Sequence, residues 1–247
     1  MKLTFKVFFF LFSILVFSQA DTVQENSASA KIVQKHIKPF NNRDLDSFLG
    51  VFHEDVLVKR FPNDTMYLGK NMLKENYKKF FENNKKSHVS ILNRMTLKNW
   101  VIDEELGVVN NSTNRHITIY NTGNEKIKSM TFVSNRKTTS NPESIVNKQL
   151  LAYNNRELDN FIETYSNDIK LYFFPNQLIS EGHDSMRKQY GTMFETILDL
   201  NAQIVNRMVL GNKVIDKEKV LYNGSIFYAI AIYEVNDGKI SKVTFIQ

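Results

Sequence analysis

One stretch of this chain is written twice. Asn41 to Asn63 reads NNRDLDSFLGVFHEDVLVKRFPN, and Asn154 to Asn176 reads NNRELDNFIETYSNDIKLYFFPN. The offset, 154 − 41 = 113 residues, holds without a gap to the end of both copies. Asn93-Arg94-Met95 returns as Asn206-Arg207-Met208, Val101-Ile102-Asp103 as Val214-Ile215-Asp216, and Thr131-Phe132 as Thr244-Phe245. Solenoid units run to only about 20–50 residues, so a repeat this long is a duplicated domain. Whatever fold one copy adopts, the other must be able to adopt it too.

Within a copy the apolar period changes from helical to extended. Ile32, Val33, His36, Ile37 and Phe40 fall on one helical face, and Leu45, Phe48, Leu49 and Phe52 on a second. Asp44 and Asp46 open that second helix, where the helix dipole favours acids. Val56 to Phe61 and Thr65 to Leu68 read as a short hairpin, and a third helix after Gly69 presents Leu73, Tyr77, Phe80 and Phe81. Val89, Ile91, Asn93, Met95 and Leu97 then alternate with polar residues, and strands follow at about 101–109, 113–120 and 127–133. The expected class is α+β: two tandem cone-shaped α+β barrels, each of three helices packed on a curved antiparallel sheet. The expected divisions are 1–20, a linker-like 21–30, a first domain 31–133, a linker 134–143 and a second domain 144–247.

Met1 to Ala20 has the pattern of a secretory signal peptide. Lys2 and Lys6 precede an apolar run, and Ser18-Gln19-Ala20 offers small residues for cleavage. The apolar run is short of the ~20 residues a membrane span needs. The expected location is therefore exported, periplasmic or extracellular, with no stable membrane anchor after cleavage. Losing Lys2 and Lys6 takes the net charge from +6 to +4. Lysine and arginine are spread along the chain, which speaks against a nucleic-acid partner. With no cysteine, disulfides, thiolate metal sites and a cysteine nucleophile are excluded. The scattered histidines have no metal-ligand spacing and no glycine-rich phosphate loop occurs, so no cofactor is expected.

The order of elements, together with Tyr153 to Asp159, Phe174-Pro175, Glu181-Gly182, Asn206-Arg207-Met208, Gly211 to Asp216 and Tyr233 to Ile240, resembles the SnoaL-like branch of the nuclear transport factor 2-like superfamily, which includes ketosteroid isomerases. The first copy matches more loosely. The resemblance implies a cone-shaped pocket, and members include isomerases, cyclases, dehydratases, epoxide hydrolases and binding modules. Steroid isomerase chemistry needs a carboxylate base and an oxyanion hole of Tyr and protonated Asp, a worked case of carboxyl pKa tuning. The resemblance places those roles on Phe61 and Phe174, on His36 and Gln149, and on Ile117 and Ile230, which cannot fill them apart from a weak substitute in His36.

Other polar groups remain. If the second copy's first long hairpin turns on Asn212, Asn206 stands opposite Glu218 and Met208 opposite Asp216. The same count sets Asn93 opposite Glu105 and Met95 opposite Asp103, putting an Asn, a Glu and an Asp on one sheet face in each copy. These groups either serve the cone or form hydrogen-bonded pairs on an outer or interdomain face. His116, aligned with Ala229, is not shared. The candidate ligand-binding residues are thus Asn93, Asp103, Glu105, Tyr77 and Phe61, with Asn206, Asp216, Glu218, Tyr190 and Phe174. The 19 Phe and 10 Tyr supply walls suited to a small apolar ligand. The preferred expectation is non-catalytic binding of such a molecule, with no catalytic residue assigned. The alternatives are a cofactor-independent isomerase, cyclase or hydrolase, and an interaction scaffold. A monomer built as an internal pseudo-dimer is expected.

Overall fold

The computed structural model describes residues 27–247, so the expected signal segment lies outside the described residues. The first unit runs α1 (Ala28–Gln34), α2 (Ile37–Asn42), α3 (Leu45–Gly50), β1 (Phe52–Arg60), β2 (Asp64–Leu68), α4 (Lys70–Asn83), β3 (His88–Leu97), β4 (Trp100–Val109), β5 (Ser112–Gly123) and β6 (Lys126–Val133). The second runs α5 (Pro142–Asn155), α6 (Leu158–Glu163), β7 (Tyr165–Phe173), β8 (Gln177–Glu181), α7 (Gly182–Thr196), β9 (Asn201–Leu210), β10 (Lys213–Tyr222), β11 (Ser225–Asn236) and β12 (Lys239–Ile246). Helices α1 and α5 begin inside the stretches expected to be linkers, and the connecting segment shortens to 134–141.

The repeated Asn-Asn-Arg has a structural reason. Asn41 extends β3 at the sheet edge, donating Nδ2 to the Val89 carbonyl (3.0 Å) and accepting the Val89 amide (2.8 Å). Asn154 does the same with Ala202. Arg43 and Arg156 end their helices in the left-handed conformation, both at φ 58°. Each guanidinium then donates across to a backbone carbonyl, of Ser87 and Leu200.

Three sequence expectations change. The sheet is not a four-stranded antiparallel meander beside a separate hairpin. The hairpin joins it, because β1 pairs parallel with β6, giving the six-stranded mixed order β2-β1-β6-β5-β4-β3. The second unit repeats this as β8-β7-β12-β11-β10-β9. Each sheet is open at β2 and β3, or β8 and β9, so the cones are not closed barrels. The first unit also has four helices instead of three. Pro39 lacks an amide hydrogen and its ring clashes with the carbonyl four residues back, at Lys35. The helix breaks there into α1 and α2, whereas Ala152 lets α5 run unbroken.

The third change is register. The first long hairpin turns in two residues, with Leu97 opposite Trp100 and Leu210 opposite Lys213. That turn alone sets Asp103 opposite Arg94 and Asp216 opposite Arg207, and bulges at Leu92 and Val205 shift the pairing beyond them, where Ile91 meets Glu105 and Ile204 meets Glu218. Asn93 stands opposite Glu104 and Asn206 opposite Lys217, not Glu105 and Glu218. The expected Asn-Glu-Asp face therefore does not exist, and the asparagines lie on the opposite face from the carboxylates.

That opposite face is where the units meet. Met95, Ile102, Ile117, Ile119 and Val133 form one apolar cluster with Met208, Leu210, Ile215, Ile230, Ile232 and Ile246. Phe61 and Phe174 stack across it, 6.2 Å apart and 9° from parallel. Asn93 Nδ2 donates to Asn206 Oδ1 (2.8 Å) and Asn206 Nδ2 to Asn93 Oδ1 (3.0 Å). Each amide also reaches a carbonyl of the other unit, Arg207 at 3.2 Å and Arg94 at 3.1 Å. Such reciprocity is the signature of a two-fold interface, here within one chain. Removing one amide strands the other inside this layer. Asn93→Ala and Asn206→Ala are each expected to cost about 1–3 kcal/mol, and the double variant less than their sum. Denaturant unfolding of the three variants checks this, and full additivity would exclude the pair as a unit.

Candidate functional site

The other face of each sheet curves over its helices, and the two cones are lined by different side chains. The first encloses a cavity of about 400 Å³. Its walls are mostly aromatic, drawn from Phe40, Phe48, Tyr67, Tyr77, Phe80 and Phe132. The β4 and β5 strands add Glu105, Gly107, His116 and Tyr120, and His36 comes from the break between α1 and α2.

The helix break sets His36. With the backbone ladder interrupted, its Nδ1 lies 2.5 Å from the Val33 carbonyl, and its Nε2 lies 3.2 Å from the Tyr120 hydroxyl. Tyr120 donates to Glu105 Oε1 at 2.8 Å, and His116 Nε2 lies 2.8 Å from Glu105 Oε2. Four side chains thus form one continuous chain along the cavity wall. Burial lowers the pKa of His36, with Glu105 and the Val33 carbonyl opposing it. Burial also pulls His116 down, but its contact with the Glu105 carboxylate and the Asn114 carbonyl outweigh that and hold it above the usual imidazole value. The contact with Glu105 therefore favours the charged form of the His116 imidazole.

Both oxygens of Glu105 are engaged, whereas among the described residues His116 Nδ1 is buried with no partner at hydrogen-bonding geometry. The Tyr67 and Tyr77 hydroxyls differ. Both line the cavity, and among the described residues neither has a hydrogen-bond partner. Burial pushes the Tyr67 phenol up to about 12 and raises Tyr77 further, so both remain donors.

The second cone keeps the carboxyl and loses the rest of the chain. Tyr233 donates to Glu218 Oε1 at 2.7 Å. Gln149 replaces His36 and bonds Tyr165, while Ala229 replaces His116. Val220 replaces Gly107. These last two exchanges are coupled by space, since a Cβ on Gly107 would sit 3.3 Å from His116 Cε1. Val220, Tyr190, Phe194 and Ala202 pack into a buried cluster in the second cone. Without an imidazole beside it, Glu218 is pushed by burial up to about 7.

The ten candidates therefore separate. Glu105 and Tyr77 line the open cavity. Glu218 and Tyr190 are buried in the second cone. Asp103 and Asp216 lie under the helices, each gripped by two guanidinium nitrogens at 2.6 Å, from Arg94 and Arg207. These arginines reach on to Gln34 of α1 and Asn147 of α5, and so tie helix to sheet. Asn93, Asn206, Phe61 and Phe174 belong to the contact between units. Sequence reasoning set aside His36, His116 and Tyr120. Pro39 and the Gly107-for-Val220 exchange were the signals that single them out. Among the described residues no group of three or more acidic or histidine side chains is placed to hold a metal, and no helix is long and apolar enough to cross a membrane.

A raised carboxyl pKa makes folding take up a proton. The folded chain binds more protons at Glu218 than the unfolded chain between about pH 4.5 and pH 7, so stability falls as pH rises through that window. Glu218→Gln is expected to remove up to about 3 kcal/mol of this slope and to be relatively more stable at pH 8. Urea unfolding of both proteins at pH 5 and pH 8 measures it, and identical slopes would exclude the buried acid.

The profile of the SnoaL-like domain family matches residues 146–243, most of the second unit. Among curated proteins nothing matches. Similar solved structures include a cystatin-fold protein from Novosphingobium aromaticivorans, 15% identical, covering 44% of this chain and 98% of its own at a TM-score of 0.41. An NTF2-like protein from Cytophaga hutchinsonii is 16% identical over 44% of this chain and 92% of its own, with a TM-score of 0.38. An LEH-like epoxide hydrolase from Mycobacterium tuberculosis is 10% identical over 43% and 81%, with a TM-score of 0.38.

Proposed function

We propose that this is an exported binding protein whose first cone takes a small, flat, largely apolar molecule carrying a hydrogen-bond acceptor. The observation that carries the reading is the contrast inside that cavity. Both oxygens of Glu105 are already engaged by Tyr120 and His116, while aromatic walls and the Tyr67 and Tyr77 hydroxyls are left for a guest. Among the described residues no lysine or arginine lines the cavity, so orientation falls to the two phenols. The second cone serves as packed support. Export rests on the character of Met1 to Ala20, and a one-chain state in solution on the mutual cover of the two sheet faces.

The test uses the chain without Met1 to Ala20 and the neutral aromatic fluorophore N-phenyl-1-naphthylamine. One probe per chain is expected, with binding weakened at least 10-fold by Gly107→Val, which fills the cavity. Tyr77→Phe is expected to weaken a carbonyl-bearing analogue more than the probe itself. Thermal melting confirms that each variant is folded. Two probes per chain, or binding indifferent to Gly107→Val, would overturn the reading.

A further inference from the structure

The hydrogen-bonded chain on the first cone's wall is short of one hydrogen. The Val33 carbonyl can only accept, so His36 Nδ1, 2.5 Å away, carries a hydrogen. In neutral His36 the Nε2 is then a bare acceptor. Tyr120 has one hydrogen and two acceptors to serve, Glu105 Oε1 at 2.8 Å and His36 Nε2 at 3.2 Å. Whichever it serves, the other contact sets two lone pairs against each other. A single added proton removes the conflict. Placed on His36 Nε2, it points at the Tyr120 oxygen while the Tyr120 hydrogen serves Glu105. Placed on Glu105 Oε1, it points at the Tyr120 oxygen while the Tyr120 hydrogen serves His36. Every contact then holds one hydrogen.

We propose that His36, Tyr120 and Glu105 form a binding site for one proton, shared across the tyrosine hydroxyl and capped at its far end by His116. The site belongs to the first unit alone, because Gln149 and Ala229 stand where the two histidines would be. The groups facing it are Arg94 from β3, Asp103 from β4, His116 from β5 and Tyr77 from α4. Arg94 opposes uptake, and burial holds the midpoint below the 6.5 of a free imidazole. All four members of the chain line the cavity. On the ligand reading above, uptake makes that wall more positive, so an acceptor-bearing guest binds more tightly on the acid side. The proton count itself needs no ligand.

The experiment is imidazole ¹⁵N NMR on the whole chain without Met1 to Ala20, titrated from pH 8 to pH 4.5 with no ligand present. Expected are a neutral His36 carrying hydrogen on Nδ1 and a proton uptake with a midpoint below 6.5. In Tyr120→Phe a protonated Nε2 has no acceptor, so the His36 midpoint should fall by at least one pH unit. His36→Gln imports the side chain that the second unit already tolerates, and should lower total uptake by one proton in a difference titration. A His36 midpoint unmoved by Tyr120→Phe, hydrogen on Nε2 alone at pH 8, or unchanged uptake in His36→Gln would overturn the site. Because no ligand enters, these outcomes stand apart from the success or failure of probe binding.

Discussion

Each sheet in this protein has two apolar faces, and neither unit can cover both. One face is covered by its own helices. The other is covered by the matching face of the sister unit, through Ile102, Ile117, Ile119 and their counterparts Ile215, Ile230 and Ile232. The rest of the structure follows from this sharing. It fixes which side of every strand looks into a cone, and leaves the cones as the places where side chains can vary without loosening the contact between units. It also explains the retention of asparagine in both copies within an otherwise apolar layer. A self-paired amide at the two-fold position admits one alignment of the sheets, where aliphatic side chains alone would tolerate several.

Much of this was legible from the repeat. The element order, the two units and the α+β class follow from periodicity read twice. The register was not legible, because it depends on a one-residue difference in a turn. A turn centred on Asn212 and the two-residue turn found here give opposite faces to Asp216 and Asn206, and nothing in the local residue types decides between them. The bulges at Leu92 and Val205 compound this, since an extra residue in a strand leaves no compositional mark. Pro39 was different. It stood in the sequence where the sister copy has alanine, and its effect on the carbonyl four residues back is elementary. The long apolar face from Ile32 to Phe40 masked it, and with it the reason that His36 turns inward.

The site shows how a duplicated fold acquires chemistry in one copy. Glu105 and Glu218 descend from the same position, as do Tyr120 and Tyr233, and both pairs are hydrogen-bonded alike. What differs is the company. The absence of a side chain at Gly107 leaves room for the ring of His116, and a broken helix delivers His36 from the other side. In the second cone Val220 fills the corresponding space, and the carboxyl is left with the tyrosine and its own burial. One carboxyl is thereby paired with an imidazole, and the other is driven towards its neutral form.

The segment 134–141 gives the contact between units a second meaning. Its Arg136 carbonyl accepts the Asn212 amide at 2.9 Å, strapping it over the β9–β10 hairpin of the second unit. A face that meets its partner on a tether does so at an effective concentration near the millimolar range, whatever the dilution of the chain. In a dimer of identical chains every substitution at the two-fold axis appears twice and must agree with itself. Here it appears once. Glu104 with its partner Arg115, and Lys217 lying 5.4 Å from the Tyr228 ring, occupy equivalent positions with opposite charge. Fusion released this surface from the demand of self-complementarity, and inheritance could then write a different residue on each side of the same seam.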